Sequence, residues 1–109
     1  MQTSYFAKYK GSDGVAICLY KPYWFKGEHY PALAPTKEIL EDYKHGDIDE
    51  EEYIRRYKED VLSKLNPKEV YNDLKDKVLL CYERYDKFCH RHIVAQWLSE
   101  KLDVNIKEI

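Results

Sequence analysis

Residues 77–102 read KVLLCYERYDKFCHRHIVAQWLSEKL, and this stretch decides the fold. Residues 78–82 form an uninterrupted apolar run of the length of a buried strand. After a short polar turn, residues 89–92 open a helix with an apolar stripe of Ile93, Val94, Trp97 and Leu98. A strand that leads into a helix is the repeating unit of α/β proteins, so this segment predicts a mainly parallel sheet.

Two further strands are predicted upstream, at residues 4–8 and 15–20, with a glycine-rich turn at residues 11–14 between them. Residues 15–19 are apolar without alternation, which is typical of a strand covered on both faces. Pro22 ends that strand, because proline cannot donate to the strand ladder. An aromatic loop then runs to Pro35, and loops that follow central strands commonly carry binding groups.

Helix signals fill the segment between this loop and residue 78. Thr36 predicts a helix to about His45, Asp49 one to about Leu65, and Asn66 one to about Lys75. The acidic run 47–52 is interpreted as a helix start, since consecutive glutamates point in different directions and cannot share one cation.

With a last strand at residues 104–106, the pattern predicts one α/β domain over residues 1–109. It is expected to have a parallel or mixed sheet flanked by helices, in a Rossmann-like arrangement of three layers.

The composition of the chain argues against general nucleic-acid binding and against membrane association. The net charge of −2 provides no polycationic field, so general nucleic-acid binding is not expected. No apolar run approaches the roughly 20 residues that cross a bilayer, and the first residues lack a secretion signal, so no membrane association and a cytoplasmic location are predicted. A chain of 109 residues buries a modest core, and a homodimer would supplement its stability.

Cysteine usage is sparse. The chain has three cysteines and no pair in the C-x-x-C spacing, so reduced thiols are expected. A zinc site at Cys89 and His90 would need a further ligand from His29 or Cys18 and is not predicted. Neither a metal nor a cofactor is expected.

Candidate site residues cluster at the start of the last helix. Unpaired N–H groups and the helix dipole there would lower the pKa of the Cys89 thiol. Cys89 also shares the apolar face of the helix, where a cysteine is commonly a core residue. Cys81, at the end of the strand, either packs, approaches Cys89 or flanks a bound ligand together with Cys89.

Charged and ionisable groups stand beside these cysteines. The Arg91 guanidinium opposes the helix dipole, so it needs a partner, either Glu83, Asp86 or an anionic ligand. His90 would donate to the same anion, carry a proton or pack.

The motif is also familiar. Residues 79–83, with Cys81 and Glu83, followed by Cys89-His90-Arg91, resemble the signature of the uncharacterised family numbered 488 among the domains of unknown function, in a short form. That resemblance implies a compact α/β fold in which Cys81, Glu83, Cys89, His90 and Arg91 share one pocket. It carries no reaction.

Three functions are therefore expected as alternatives. The first is binding of a phosphate-bearing or other anionic ligand, such as a nucleotide, with Arg91 as the clamp and Trp24 or Tyr23 stacking on a flat group. The second is a thiol-dependent enzyme with Cys89 as nucleophile or redox residue and His90 or Glu83 handling protons. The third is a structural or protein-interaction domain without chemistry.

Overall fold

Strands and helices alternate along the computed structural model, which describes residues 1–109. The strands are β1 (Gln2–Tyr5), β2 (Gly14–Ala16), β3 (Glu28–His29), β4 (Val78–Cys81) and β5 (Lys107–Glu108). The helices are α1 (Lys37–Lys44), α2 (Glu50–Asp60), α3 (Pro67–Leu74) and α4 (His90–Leu102), with short 3-10 turns at Pro31–Leu33 and Leu62–Lys64.

The five strands form one parallel sheet in the order β3-β2-β4-β1-β5. The apolar strand β4 lies at its centre, where Leu79 is in register with Thr3 of β1 and with Val15 of β2. The predicted α/β class with a parallel sheet is confirmed. Because all strands run the same way, the carboxyl ends of β2 and β4 and the start of α4 meet at one edge.

Helix starts lie where the sequence predicts them. The side chains of Thr36, Asp49 and Asn66 each accept a hydrogen bond from a backbone N–H of the following turn, at 3.2, 2.8 and 2.9 Å. Gly46 follows α1 with a φ of +79°, a conformation that glycine adopts without a steric penalty. The acidic run is a helix start, since Asp49 caps α2.

The ends of several elements differ from the predictions. β2 ends at Ala16 and not at Tyr20, α2 ends at Asp60, and the last strand lies at Lys107–Glu108 and not at residues 104–106. Strand length depends on the residues that neighbouring strands offer as partners. β3 and β5 contribute two residues each, and β3 lies inside the segment predicted to be loop.

The two faces of the sheet are covered differently. Val15, Ile17 and Leu79 belong to a core cluster that includes residues from all four helices. Leu80 and Ala16, on the other face, pack with side chains of the connecting segments, Phe6, Tyr9 and Phe25. The helices thus form one layer, and loop residues form the layer across the sheet. None of the helices is both long and apolar enough to cross a membrane.

Candidate functional site

A cavity of about 310 Å³ opens at the edge where β2, β4 and α4 meet. Its walls are mostly apolar, and its lining comes from the ends of both strands, from α1 and α2 and from the start of α4. The lining residues used below are Cys18, Tyr43, Lys44, Tyr53, Cys81, Glu83, Phe88, Cys89 and His90. The edge is the place where open parallel sheets bind ligands.

Cys81 and Cys89 are joined by a disulfide, so the expectation of three reduced thiols is wrong for these two residues. Cys81 ends β4 and Cys89 is the residue before α4, and the intervening turn brings the two sulfurs together. Sequence spacing did not indicate this, because the residues are eight positions apart and not in a C-x-x-C pair. Cys18 is free and buried, and burial raises the pKa of its thiol to about 11.

His90 lies beside the pair with a defined ring orientation. Its Nε2 donates to the carbonyl oxygen of Ile17 at 2.7 Å, which leaves Nδ1 without a proton, 3.7 Å from Cys89 Sγ. The pKa of His90 is lowered to about 4, mainly by burial and in part by the nearby charge of Arg91, while the hydrogen bond to Ile17 opposes the shift. The imidazole is therefore neutral at neutral pH and presents a lone pair to the sulfur.

Arg91 is fully buried, and its carboxylate partner is neither Glu83 nor Asp86. Its Nε and one terminal nitrogen donate to the two carboxylate oxygens of Glu108 on β5, both at 3.0 Å. The other terminal nitrogen donates to Cys81 Sγ at 3.0 Å, and Tyr5 lies under the guanidinium. Arg91 does not line the cavity. Its charge is balanced by Glu108, and its contact with the site passes through the sulfur of Cys81.

The polar groups that face the cavity are few. Glu83 is exposed at the rim, and Lys44 lines the wall from α1. Cys89, the residue before α4, makes no side-chain cap hydrogen bond, unlike the residues that cap α1, α2 and α3. The first N–H groups of α4 consequently lack the side-chain acceptor that the other helices have.

Tyr23 and Trp24 do not line this cavity. Tyr23 is 91% exposed, and Trp24 packs edge-on against Phe6 with Lys10 over its ring, on the loop side of the sheet. The chain lines the cavity after β2 only as far as Tyr20, so the aromatic loop that follows lies outside the site.

Other aromatic residues form the cavity wall. Tyr43, Tyr53 and Phe88 contact one another with ring centroids 4.9–5.3 Å apart. Both tyrosines lie within helices that the sequence predicts, but no sequence pattern indicates that they line a site. Cys18 was foreseeable, since it follows β2, and the carboxyl ends of adjacent parallel strands lie side by side.

Two kinds of chemistry suit this arrangement. The sulfurs of Cys81 and Cys89 can cycle between dithiol and disulfide next to a proton acceptor. The same two sulfurs and a nitrogen of His90 lie within 4.8 Å of one another, so these three residues are also the ones that can hold a metal ion. Of the five residues that the family resemblance placed in one pocket, four line the cavity, and Arg91 lies behind Cys81.

Comparison with known proteins gives one family. A family model described as the active DUF488-N3 subclade matches residues 13–102, which span the sheet centre, all four helices and the site. Searches of curated proteins and of solved structures found no match.

Proposed function

The chain belongs to the DUF488 family, and from that premise and the geometry of the cavity we propose that it is a thiol-dependent enzyme of small-molecule redox chemistry. Cys89 is the proposed nucleophile, Cys81 the partner that resolves its adduct, and His90 the proton acceptor. The observation that carries the proposal is the meeting of both sulfurs and His90 Nδ1 in the wall of one cavity. The description of the matched subclade as active is in line with catalysis and names no reaction.

The proposed reaction is thiol–disulfide exchange with a small disulfide. The Cys89 sulfur attacks the substrate disulfide while its proton passes by way of His90 Nδ1 to the departing sulfur, so that one thiol is released and a mixed disulfide remains. The Cys81 sulfur then attacks Cys89 Sγ and releases the second thiol, so that the protein gains the Cys81–Cys89 disulfide while the substrate is reduced. A second thiol pair returns the protein to the dithiol by the reverse steps.

Two neighbouring groups support this assignment. The Arg91 guanidinium, 3.0 Å from Cys81 Sγ, stabilises negative charge on that sulfur. Glu83 stands at the rim, where it would accept a proton or a hydrogen bond from the substrate. The aromatic wall of Tyr43, Tyr53 and Phe88 offers a surface for the apolar part of the substrate.

Trapping the mixed disulfide tests the proposal. Reduced protein is mixed with glutathione disulfide, and intact masses are followed with time. The wild type should lose two hydrogens and keep no glutathione. Cys81→Ser should accumulate one glutathione on Cys89. Cys89→Ser should neither lose two hydrogens nor gain a glutathione. Cys18→Ser is the matched control and should behave as the wild type.

Failure of the Cys81→Ser variant to form an adduct, in a protein that keeps its circular dichroism, would contradict the proposal. An inert Cys89 together with a dimer in solution would instead favour the protein-interaction alternative.

A second candidate function is binding of an anionic ligand, such as a nucleotide, without chemistry. Lys44 in the cavity wall and the uncapped start of α4 favour it. In this binding function Arg91 acts only through Cys81, because Glu108 already balances its charge. Neither Tyr23 nor Trp24 provides the stacking surface. The melting temperature at increasing concentrations of adenosine monophosphate tests this function. Lys44→Gln should abolish the rise in melting temperature. Lys58→Gln, a change at an exposed residue outside the cavity, should leave it intact.

The cellular setting belongs to the same proposal. A cytoplasmic location would keep the cysteine pair reduced between reactions, since cytoplasmic disulfides are commonly transient and catalytic. A small molecule is the proposed partner, and self-association into a homodimer stays a prediction for sedimentation analysis.

A further inference from the structure

We propose that the reduced protein binds a zinc ion through Cys81, Cys89 and His90, with the fourth coordination position open to the cavity. The inference uses the same side chains as the proposed function, yet it does not depend on thiol exchange. It departs from the sequence-based prediction of no metal.

Donor geometry is the first support. A tetrahedral zinc ion with a Zn–S bond of about 2.3 Å and a Zn–N bond of about 2.0 Å holds the sulfur and nitrogen about 3.5 Å apart. Cys89 Sγ and His90 Nδ1 are 3.7 Å apart. The three donor atoms all lie within 4.8 Å of one another, so one ion can reach them together once the disulfide is open and the two sulfurs have moved apart.

The ring of His90 is oriented as that of a metal ligand. Histidines that bind metals nearly always donate their second ring N–H to a carboxylate or a backbone carbonyl, which fixes the ring and leaves the other nitrogen free. His90 Nε2 donates to the carbonyl of Ile17 at 2.7 Å, and Nδ1 faces the cysteine pair. Nδ1 carries no proton in this tautomer, so its lone pair is free to bind an ion.

The charges around the site also suit a metal–thiolate centre. Two thiolates neutralise the divalent ion, and the Arg91–Glu108 pair beside them adds no net charge. The hydrogen bond from Arg91 to Cys81 Sγ provides the outer contact that ligating sulfurs commonly receive.

The open position distinguishes this centre from a structural zinc site. Structural sites use four protein ligands, whereas a centre of three protein ligands takes water or substrate in the fourth position. Cys18 and His29, the further ligands considered from the sequence, are not part of the donor group. His29 Nε2 is bonded to the Cys18 carbonyl at 2.8 Å, and the thiol of Cys18 lies 3.4 Å from the carbonyl of Tyr20. The fourth position therefore faces the cavity, near Glu83.

Oxidation and metal binding are mutually exclusive at this site. A dithiol reductant, oxidised to its own disulfide, supplies two electrons and two protons and opens the Cys81–Cys89 bond to two thiols. Zinc then displaces both thiol protons and binds two thiolates. Oxidation of the pair by a disulfide releases the ion. The centre would in this way couple metal occupancy to the thiol state.

Cobalt substitution tests the proposal directly. Protein reduced with a phosphine is titrated with Co²⁺ without oxygen, and the absorption spectrum is recorded. We expect thiolate-to-cobalt charge-transfer bands and strong visible bands of a four-coordinate ion, both displaced by one equivalent of Zn²⁺. Cys81→Ser and Cys89→Ser should each lose the charge-transfer intensity in part and bind more weakly, while Cys18→Ser should match the wild type.

A measurement on the unchanged protein guards against variants that fold poorly. Zinc should slow alkylation of Cys81 and Cys89 together in the reduced wild type and leave Cys18 unaffected, with each cysteine followed by mass spectrometry. A cobalt spectrum without charge transfer, or equal alkylation with and without zinc, would overturn the metal site. Glutathione trapping in metal-free buffer is independent of either result, so the two proposals fail separately.

Discussion

At the scale of single residues, Arg91 depends on a charged partner that lies on another element, Glu108 of β5. A guanidinium with no solvent contact must have its charge balanced inside the protein. Glu108 provides that balance with two hydrogen bonds, and Thr3 donates to the same carboxylate at 2.6 Å. The three residues join α4, β5 and β1 behind the cysteine pair.

Replacing Glu108 by glutamine should therefore destabilise the fold. The change keeps the shape and leaves the buried guanidinium without a counter-ion, and we expect the free energy of unfolding to fall by about 3 kcal/mol. Urea denaturation followed by circular dichroism measures it. The double variant Arg91→Met/Glu108→Leu is the control, because replacing both charges by apolar groups should recover most of the loss. A single variant as stable as the wild type would refute this account of Arg91.

The same pair predicts a pH dependence. Burial raises the pKa of Glu108, but the hydrogen bonds from Arg91 and Thr3 and the charge of Arg91 outweigh it, so the pKa lies below the ordinary value of 4.5. A carboxyl with a lowered pKa in the folded state contributes stability that is fully present above its unfolded pKa and is lost as the pH falls through the folded one.

The stability difference between wild type and Glu108→Gln should accordingly be constant above about pH 5 and shrink on acidification below 4.5. Urea midpoints at a series of pH values would measure that difference. A gap that widens on acidification would have the wrong sign for this pair.

Prediction of the site from sequence succeeded for neighbours along the chain. Cys89, His90 and Arg91 are adjacent at a helix start, and a strand before them indicates where Cys81 lies. Glu108 was not predictable, because 17 residues separate it from Arg91 and its position depends on which strand lies beside β1. The cavity wall of Tyr43 and Tyr53 was missed for the same reason, since helix periodicity reports burial but not what is buried nearby.

At the scale of elements, helix starts were predictable and strand extents were not. A capping side chain and the N–H that it satisfies lie within three residues, so Thr36, Asp49 and Asn66 carry their own signal. A strand ends where its neighbour stops offering partners. β2 is short because β3 pairs only with Val15 and Ala16, although the apolar sequence continues to Leu19.

Two helix ends give a matched prediction. Gly46 and Asp103 are the two positions with positive φ, at 79° and 55°. Gly46→Ala should lower the free energy of unfolding by about 1 kcal/mol. A Cβ at that position meets no other atom, so the loss would come from backbone strain alone. Asp103→Gly should raise the free energy of unfolding by about 0.5 kcal/mol, because it removes a backbone strain of the same kind.

Thermal unfolding of both variants checks the pair. Changes of equal sign would show that the backbone conformation is not the cause.

At the scale of the whole molecule, the sequence predicts a parallel sheet but not its order. Hydrophobic runs identify β2 and β4 as covered strands. The insertion of β4 between β1 and β2 follows from packing among segments more than 60 residues apart, which no local pattern encodes. The helices gather on one face, and the connections from β1 to β2 and from β2 to β3, which hold no helix, supply the residues that cover the other face.

The disulfide should make overall stability sensitive to reductant. The disulfide closes a loop between positions eight residues apart and so restricts the unfolded chain. Reduction removes that restriction and should lower the free energy of unfolding by about 2.5 kcal/mol. Urea unfolding with and without dithiothreitol, in metal-free buffer, measures the difference. The variant Cys81→Ala/Cys89→Ala should be indifferent to reductant, and an equal shift in that variant would exclude the disulfide as the cause.

Ribosomal synthesis places a constraint on the chain that the finished sheet conceals. β1 is made first, yet it pairs only with β4 and β5, which are made after most of the chain. Until residue 108 has left the ribosome, the first strand has an unfilled edge and the positive charge of Arg91 has no counter-ion. The sheet therefore cannot form around β4 until that later strand has been made, and the apolar residues of β1 and β2 stay uncovered in the meantime. Uncovered apolar segments of this kind are what chaperones at the ribosome bind in general.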